Sequence, residues 1–217
     1  MKALQFANRA QAGQALAGRL ENYAGRNDVV VLALPRGGVP VGFEIASHLR
    51  APLDIMIVRK LGAPGHEELA MGAIASGGFC VMNPAVVSSC RISDEELRGI
   101  IDHEQHELER RELALRQGHP ALNLENRTVI LVDDGIATGA TMRAAAQAVY
   151  AQDPLRVIVA TPVAAPDTML EMANETSEAV AVLTPSNLNS IGEWYLDFTQ
   201  TSGDEVRSLL AKTRPQP

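Results

Sequence analysis

Two adjacent carboxylates and a loop rich in small and hydroxyl side chains lie within residues 129–142. That segment reads Val-Ile-Leu-Val-Asp-Asp-Gly-Ile-Ala-Thr-Gly-Ala-Thr-Met. Asp133 and Asp134 are paired hydrogen-bond acceptors, which suit the vicinal hydroxyls of a ribose or, through water, a magnesium ion. Carboxylates are poor partners for a phosphate, because both groups are anionic acceptors. A phosphate at this site therefore needs donors from other residues.

Donors for a phosphate follow directly. Thr138, Gly139, Ala140 and Thr141 offer two hydroxyls and a run of backbone N–H groups where a helix is predicted to begin. A helix N-terminus carries unpaired N–H groups and about half a positive charge, which favour an anion. Gly135 and Gly139 allow tight turns and the close approach of a ligand. One segment is therefore predicted to bind both ends of a ribose 5-phosphate.

Apolar strands separated by helical patterns must position this loop. Strands are predicted at residues 29–34, 53–58, 129–132, 157–160 and 179–183. Helices are predicted at residues 41–49, 93–117 and 142–150. This alternation indicates an α/β fold with a doubly wound, mainly parallel sheet and helices on both faces. In such sheets ligands bind beyond the carboxyl ends of the strands, at the topological switch point, so we expect the chemistry in the loops there.

Segment 129–142 as a whole resembles the 5-phosphoribosyl 1-pyrophosphate (PRPP) signature of type I phosphoribosyltransferases. Two aspartates alone would also fit a receiver-type metal site or a solvated loop, whereas Thr-Gly-x-Thr at a fixed distance from both carboxylates carries the resemblance. It extends from about Asp28 to Val206 and is closest to bacterial phosphoribosyltransferase-like proteins of unassigned acceptor.

The resemblance implies a PRPP-binding enzyme of nucleotide metabolism. It would transfer the 5-phosphoribosyl group, with Mg²⁺, to a nitrogen nucleophile such as a nucleobase-like small molecule, and release pyrophosphate. Asp133 and Asp134 would hold the ribose hydroxyls and reach the metal only through water or PRPP. Residues Ala137, Thr138, Gly139, Ala140 and Thr141 would hold the 5-phosphate.

The loop after the first predicted strand has the composition of an anion cradle. Arg36 supplies a rigid fork of donors, and Gly37 and Gly38 leave backbone N–H groups open. An ordinary Gly-Pro turn is the alternative. The loop resembles the pyrophosphate loop of the family, which implies a cis peptide bond near Pro35, Arg36 or Gly37.

Arg59 and Lys60 follow the second predicted strand and could neutralise a leaving pyrophosphate; solvated surface charge is the alternative. The Gly-Pro-Gly residues after them suggest a mobile lid. In the orotate enzymes of the family a similar Arg-Lys pair opens a loop with another lysine and a histidine. Here Ala63 stands at the lysine position and His66 is displaced by one residue, so His66 is only a candidate site residue.

Ala137 marks a departure from the 6-oxopurine enzymes of the family. Those enzymes place an aspartate immediately before Thr-Gly, where it handles the proton of the base, so hypoxanthine-guanine activity by that route is disfavoured. A general acid or base would have to come from the lid, with His66, Glu67 and Glu68 as candidates.

The segment from residue 185 to residue 204 concentrates aromatic residues in a chain that is only 4% aromatic. Trp194, Tyr195, Asp197 and Phe198 are candidates for a hood over the acceptor, because an aromatic ring can stack on a base. Packing of these rings against the core is an equal alternative.

The chain of 217 residues is expected to form one domain, residues 1–217. Its parts would be a core at about 28–184, a lid or insert at about 60–125, and a hood from about 1–25 and 185–217. Leu16 and Leu20 lie at helical spacing and predict a first helix in that hood.

Charge and composition exclude other classes. A formal charge of -7 and a pI near 5.2 argue against a nucleic-acid binder. No apolar run approaches the roughly 18 residues that span a bilayer, which argues against a membrane protein. Cys80 and Cys90 lack metal-site spacing and no secretory signal is visible, so we expect reduced thiols and a cytoplasmic location.

Three functions stay open at this point. The chain could transfer the phosphoribosyl group, sense PRPP as a regulatory module without turnover, or hydrolyse a sugar phosphate, because a fold and a motif do not fix the reaction. The resemblance also leaves a homodimer open.

Overall fold

The apolar segments of the sequence form strands in a computed structural model that describes residues 5–90 and 92–213, except for the side chains of Glu67 and Glu68. The strands are β1 (Val29–Ala33), β2 (Leu53–Ile55), β3 (Val58–Ala63), β4 (His66–Ala75), β5 (Phe79–Met82), β6 (Thr128–Val132), β7 (Arg156–Val163) and β8 (Glu178–Leu183). Five of them form a parallel sheet in the order β2-β1-β6-β7-β8. The predicted α/β class with a mainly parallel sheet is confirmed.

Helices connect and cover these strands. They are α1 (Arg9–Ala17), α2 (Gly38–Leu49), α3 (Pro84–Ser89), α4 (Asp94–Arg116), α5 (Ala140–Tyr150), α6 (Pro166–Glu175) and α7 (Gly203–Thr213). Short 3₁₀ turns lie at Glu21–Tyr23 and Ile191–Trp194. The long helix α4 begins with a capping box, in which Ser93 and Glu96 each bond the backbone of the other, as the sequence predicts.

Alternate residues of the central strands pack into two separate cores. Val31 of β1 packs in one core with Ile45 of α2 and Leu108 of α4. Leu32, its neighbour, points to the opposite face and packs with Val149 of α5. This alternation follows from the period of two in a β-strand, and each buried aliphatic side chain contributes about 1.5–3 kcal/mol. Helices therefore cover both faces of the sheet, as predicted.

The prediction of one strand at residues 53–58 is wrong. Strand β2 ends at Ile55, and β3 belongs to a second, antiparallel sheet of order β3-β4-β5. The backbone of Ile57 pairs with Ser76, whose Oγ accepts from the Ile57 N–H at 2.8 Å and whose own N–H donates to the Ile57 carbonyl at 2.9 Å. These bonds direct the chain away from β1, so the continuous apolar run at residues 53–58 is divided between the two sheets.

The segment after residue 58, which was predicted to be part of a mobile lid, contains regular secondary structure. Residues 58–75 form the hairpin of β3 and β4, with a turn at Pro64–Gly65 where Gly65 has φ +72°. Together with β5, α3 and α4 this hairpin forms an insert between β2 and β6. Whether the insert moves as a lid stays a prediction.

The topological switch point lies between β1 and β6. From β1 the chain continues through α2 to β2 on one side, and from β6 through α5 to β7 on the other. The loops at residues 34–38 and 133–139 therefore begin at the two sides of one crevice. No helix in the described ranges is both long and apolar enough to cross a membrane.

Candidate functional site

Asp133 and Asp134 follow β6 directly at the switch point. Asp133 Oδ1 accepts a hydrogen bond of 2.8 Å from the Asp134 backbone N–H. The pKa of Asp133 is raised well above its ordinary value, first by desolvation and then by the charge of Asp134. A carboxylate in this state is stabilised by any ligand that brings hydroxyl donors or a cation.

The carboxylate of Asp134 is braced by the N-terminal helix and the hood. Arg9 Nε lies 2.7 Å from Asp134 Oδ2, and only 11% and 15% of the two side chains are exposed. Arg9 Nη1 donates to the Thr199 carbonyl at 2.7 Å, and its guanidinium lies 3.9 Å above the Phe198 ring. The Tyr195 hydroxyl donates to the Asp134 carbonyl at 2.6 Å. Asp134 is therefore held from both its side chain and its backbone.

Residues 137–141 form an open cradle at the N-terminus of α5. The Thr168 hydroxyl binds the Ala137 carbonyl at 2.8 Å, and Arg143 Nη2 binds the Thr138 carbonyl at 2.7 Å. Within the described residues, the backbone N–H groups of 138–141 donate to no protein acceptor. These groups line a cavity of about 160 Å³ that also borders Asp133. Open N–H groups at a helix N-terminus suit a phosphate.

The loop after β1 packs directly on the acidic loop. The Pro35–Arg36 peptide bond is cis, which confirms the prediction. A Cβ atom at Gly37 would lie 2.7 Å from Asp134 Cγ, and one at Gly38 would lie 2.7 Å from the Val132 carbonyl oxygen. Only glycine therefore permits this approach of the two loops.

Arg59 and Lys60 lie in β3 of the insert. Arg59 Nε bonds Glu104 of α4, and both side chains are 18% exposed. Lys60 lines an open groove of about 760 Å³ between the β3–β4 turn and α4, together with His103. The two cations thus belong to the insert, and their role toward a pyrophosphate stays a prediction.

The predicted acid–base candidates lie at the start of β4. His66 is exposed. The side chains of Glu67 and Glu68 lie outside the described part of the structure, so their role stays a prediction.

A second cavity, of about 480 Å³, opens beside the Arg36 loop. Arg36 and Thr141 line one part of it, and Arg110, Arg111 and Arg207 line another. The last three residues were not among the predicted site residues, because residues 93–117 were predicted only as a helix and residues 185–217 only as part of the hood. A charged helix carries no local signal that shows which of its arginines will face a cavity.

Among the hood candidates, Tyr195 packs against neighbouring rings of the protein. Its buried ring lies 5.6 Å from that of Phe6 and 5.0 Å from that of Phe198, measured between centroids. Asp197 is exposed and accepts two hydrogen bonds from Thr199. The half-buried Trp194 has a buried Nε1 donor with no acceptor among the described residues. Arg9, which completes this hood, had no sequence signal beyond its place in the predicted first helix.

The side chains of this site could supply only part of the coordination shell of a metal ion. In residues 5–90 and 92–213, no three His, Cys, Asp or Glu side chains that are described gather as metal ligands. The Asp133–Asp134 pair offers the hard oxygen ligands that Mg²⁺ prefers, while Arg9 already occupies one oxygen of Asp134. These residues fit a magnesium ion held through water on a bound diphosphate, and do not fit an all-protein cage.

A protein-family model described as "Phosphoribosyl transferase domain" matches residues 4–177. Proteins named as phosphoribosyl transferases in two strains of Mycobacterium tuberculosis, CDC 1551 / Oshkosh and H37Rv, are 43% identical to the chain over 205 residues. The match covers 94% of this chain and 46% of theirs. The chain therefore spans about half the length of these curated relatives.

Solved structures show the same architecture. TT1426 from Thermus thermophilus has a TM-score of 0.85 and 38% identity, with 97% of this chain and 100% of that chain covered. AQ2163 from Aquifex aeolicus has a TM-score of 0.50 and 13% identity, with 85% and 78% covered, and shares the fold alone.

Proposed function

The chain belongs to the phosphoribosyl transferase family, and from this premise we propose that it binds PRPP and transfers the 5-phosphoribosyl group to a nitrogen nucleophile. The observation that supports this function most strongly is that three features lie together at the topological switch point between β1 and β6. An acidic pair lies between an open N–H cradle and a glycine loop that packs against it. Each of these matches one part of PRPP.

The charges and hydrogen-bonding groups of the site determine where each part of PRPP binds. Its 5-phosphate enters the cradle of residues 137–141, where unpaired N–H groups replace its hydration. The ribose hydroxyls donate to Asp133 and Asp134. Because hydrogen bonds to the charged form favour it, this binding opposes the desolvation that raises the Asp133 pKa. The ion pair with Arg9 limits rotation of the Asp134 carboxylate.

The pyrophosphate of the donor lies against the loop after β1. Arg36 offers two-pronged donors. The first N–H groups of α2 already donate within the loop, from Gly38 to the Leu34 carbonyl and from Val39 to the Arg36 carbonyl. Asp133 and Asp134 would hold Mg²⁺ through water. Bound there, the ion would supply charge neutralisation on the departing pyrophosphate.

Transfer replaces one bond at C1 of the ribose by another. The bond between C1 and a pyrophosphate oxygen breaks, and its electron pair leaves with pyrophosphate. The nitrogen of the acceptor forms a bond to C1 and loses a proton to a base, for which His66, Glu67 and Glu68 are the candidates. The transition state has oxocarbenium character, so catalysis comes chiefly from holding the ribose and excluding water.

A location in the cytoplasm belongs to the same proposal. The free thiols of Cys80 and Cys90 support it, since such thiols persist in a reducing compartment.

Two measurements test this function. The first is a calorimetric titration of the protein with PRPP in the presence of Mg²⁺. The second is an assay of pyrophosphate release with a panel of bases, amines and water as acceptors. Release with one nitrogen acceptor is the expected result. PRPP binding without release would identify a sensor, and release with water alone would identify a hydrolase.

The double variant Asp133→Asn, Asp134→Asn tests the site itself. Two charge-assisted hydrogen bonds are worth about 3 kcal/mol together, so we expect PRPP affinity to fall about 100-fold. The exposed Asp102→Asn serves as the matched control and should bind PRPP normally. Unchanged affinity in the double variant would contradict the assignment of the donor site.

A further inference from the structure

The cavity of about 480 Å³ beside the Arg36 loop is bounded by the loop after β1, by α4 and by α7. The loop contributes Leu34, Pro35 and Arg36 to its lining. Thr141 lines both this cavity and the cradle of residues 137–141. Because the loop after β1 holds the pyrophosphate in the proposed function, the cavity lies on the leaving-group side of the donor site.

Arginines supply the charge of this cavity. Among the described residues four guanidinium groups line it and no carboxylate does, and the arginines are Arg36 of the loop, Arg110 and Arg111 of α4, and Arg207 of α7. Glu107 pairs with both arginines of α4, and Asp204 pairs with the arginine of α7. Four cations beside two carboxylates leave a local positive charge in a chain whose formal charge is -7.

Several hydrogen-bond donors of this cavity are available to a ligand. The side chain of Arg36 makes no hydrogen bond or ion pair within the described residues. The backbone N–H groups of Arg36 and Gly37 donate to no acceptor in the same part of the chain. The ion pairs of Arg110 and Arg111 with Glu107 are exposed and therefore weak, so a ligand that carries more negative charge can replace them.

Apolar residues form the remaining wall of the cavity, with Met56, Ile57 and Val58 between β2 and β3, and Leu115 of α4. An apolar wall lowers the local dielectric constant, which strengthens the attraction between a guanidinium group and an anion. Neither Arg59 nor Lys60, the two cations that the resemblance suggests for the pyrophosphate, lines this cavity. The cavity therefore offers a leaving pyrophosphate a second set of cations.

We propose that the arginines of α4 and α7 bind the pyrophosphate of PRPP together with Arg36 and hold it as it departs. This assignment rests on the proposed function, because the pyrophosphate is that of phosphoribosyl transfer. The oxygens of a diphosphate accept paired N–H donors from guanidinium groups. When the bond between C1 and the pyrophosphate oxygen breaks, its electron pair leaves with that oxygen. The guanidinium groups stabilise the negative charge that the departing group gains.

Calorimetric titrations with PRPP and with ribose 5-phosphate, both in the presence of Mg²⁺, test this assignment. The two ligands share the ribose and the 5-phosphate and differ in the pyrophosphate. The double variant Arg110→Gln, Arg111→Gln should bind PRPP about tenfold more weakly, which corresponds to the loss of one charge-assisted hydrogen bond. Its affinity for ribose 5-phosphate should stay within about twofold of the wild type. Arg207→Gln, on a different helix, should have the same two effects.

Two further variants serve as controls. Arg98 is an exposed residue of α4 outside the cavity, so Arg98→Gln should bind both ligands normally. Glu107→Gln should act in the opposite direction and strengthen PRPP binding, since it releases two arginines from their ion pairs.

The outcomes separate this assignment from the proposed function. Wild-type PRPP affinity in both arginine variants would overturn the assignment and leave the proposed function intact. Equal losses for PRPP and ribose 5-phosphate would also overturn it, because the arginines would then support the whole donor site and not the pyrophosphate. A wild type that does not bind PRPP would contradict the proposed function and, with it, this assignment.

Discussion

Ion pairs border both the acidic loop (residues 133–139) and the cavity of about 480 Å³ that is lined by Arg36, Arg110, Arg111 and Arg207, which is called the arginine cavity below. The two regions nevertheless differ in how deeply these pairs are buried. Arg9 and Asp134 are 11% and 15% exposed, and further bonds to Thr199 and Tyr195 complete their surroundings. In the arginine cavity the side chains of Arg110 and Arg111 are 69% and 52% exposed. The difference teaches that the acidic loop is part of the folded core, whereas the arginine cavity lies at the surface.

That difference has an energetic consequence. Removing one partner of a buried ion pair leaves an unpaired charge and costs several kcal/mol, while exposed pairs contribute about 0–1 kcal/mol. Breaking the Arg9–Asp134 ion pair should therefore lower both stability and PRPP affinity. Substitutions in the arginine cavity should change ligand affinity alone.

Arg9→Ala should have the largest effect, because it leaves Asp134 buried without its cation. We expect the free energy of unfolding to fall by about 3 kcal/mol, measured by urea denaturation, together with weaker PRPP binding. Arg9→Lys should recover part of the loss, since lysine keeps the charge but not the stacking on Phe198. The exposed Arg98→Ala, which should cost less than about 0.5 kcal/mol, is the control. Equal costs at positions 9 and 98 would show that the two regions do not differ in this way.

Gly37→Ala should follow in size. Its Cβ would lie 2.7 Å from Asp134 Cγ, and Arg9 prevents that carboxylate from moving aside. Overpacking of this kind costs about 2 kcal/mol, and PRPP affinity should fall because the acidic loop is displaced.

Gly99→Ala is the counterpart in the insert. Apart from the backbone of its own helix, no atom of the described residues lies within 4 Å of a Cβ built at this helical position, so alanine should raise the free energy of unfolding by about 0.5–1 kcal/mol. Chemical denaturation of both alanine variants measures the contrast, and a stabilising Gly37→Ala would refute the packing of the two loops.

The same contrast explains what the sequence could predict. Strand β1 and residues 129–132 of β6 are apolar and buried on both faces, so composition alone predicted these strands and the loops that follow them. The cis peptide after Pro35 and the open N–H groups of residues 138–141 lie in those loops, where the resemblance was local and strong.

Other parts depend on contacts between distant segments. Arg9 reaches Asp134 across 125 positions, and no pattern around Arg9 encodes that pairing. Residues 53–58 are uniformly compatible with a strand, and only the bonds between Ile57 and Ser76 divide them between two sheets. The arginines of α4 and α7 converge only because both helices pack against the same face.

Tyr195→Phe should produce a smaller loss in the acidic loop. The variant keeps the ring packing on Phe6 and Phe198 and removes the hydrogen bond to the Asp134 carbonyl. A single hydrogen bond of this type contributes about 1 kcal/mol to stability, which urea denaturation can measure. Leu196→Ala, a change at an exposed neighbour, should leave stability nearly unchanged. If PRPP affinity falls without a loss of stability, Tyr195 acts on the ligand instead of bracing Asp134.

The pH dependence of stability distinguishes the two regions by sign. The pKa of Asp133 is raised, so the folded state holds its proton more tightly and the free energy of unfolding falls as pH rises above the ordinary carboxyl value of about 3.9. Asp133→Asn should remove this decline.

Glu107 of α4 should show the opposite behaviour and the smallest effect. Arg110, its main partner, lowers the pKa of Glu107 to about 2, so its contribution is present above the ordinary value of about 4.3 and is lost as pH falls toward 2. Glu107→Gln should remove that acid-side loss, which is small because solvent screens an exposed pair. Unfolding curves between pH 2 and pH 8 for both variants measure the two slopes. Burial disfavours the charged form of Asp133, whereas the neighbouring Arg110 favours the charged form of Glu107, so the two slopes should have opposite signs. Slopes of the same sign would contradict this difference between the two carboxylates.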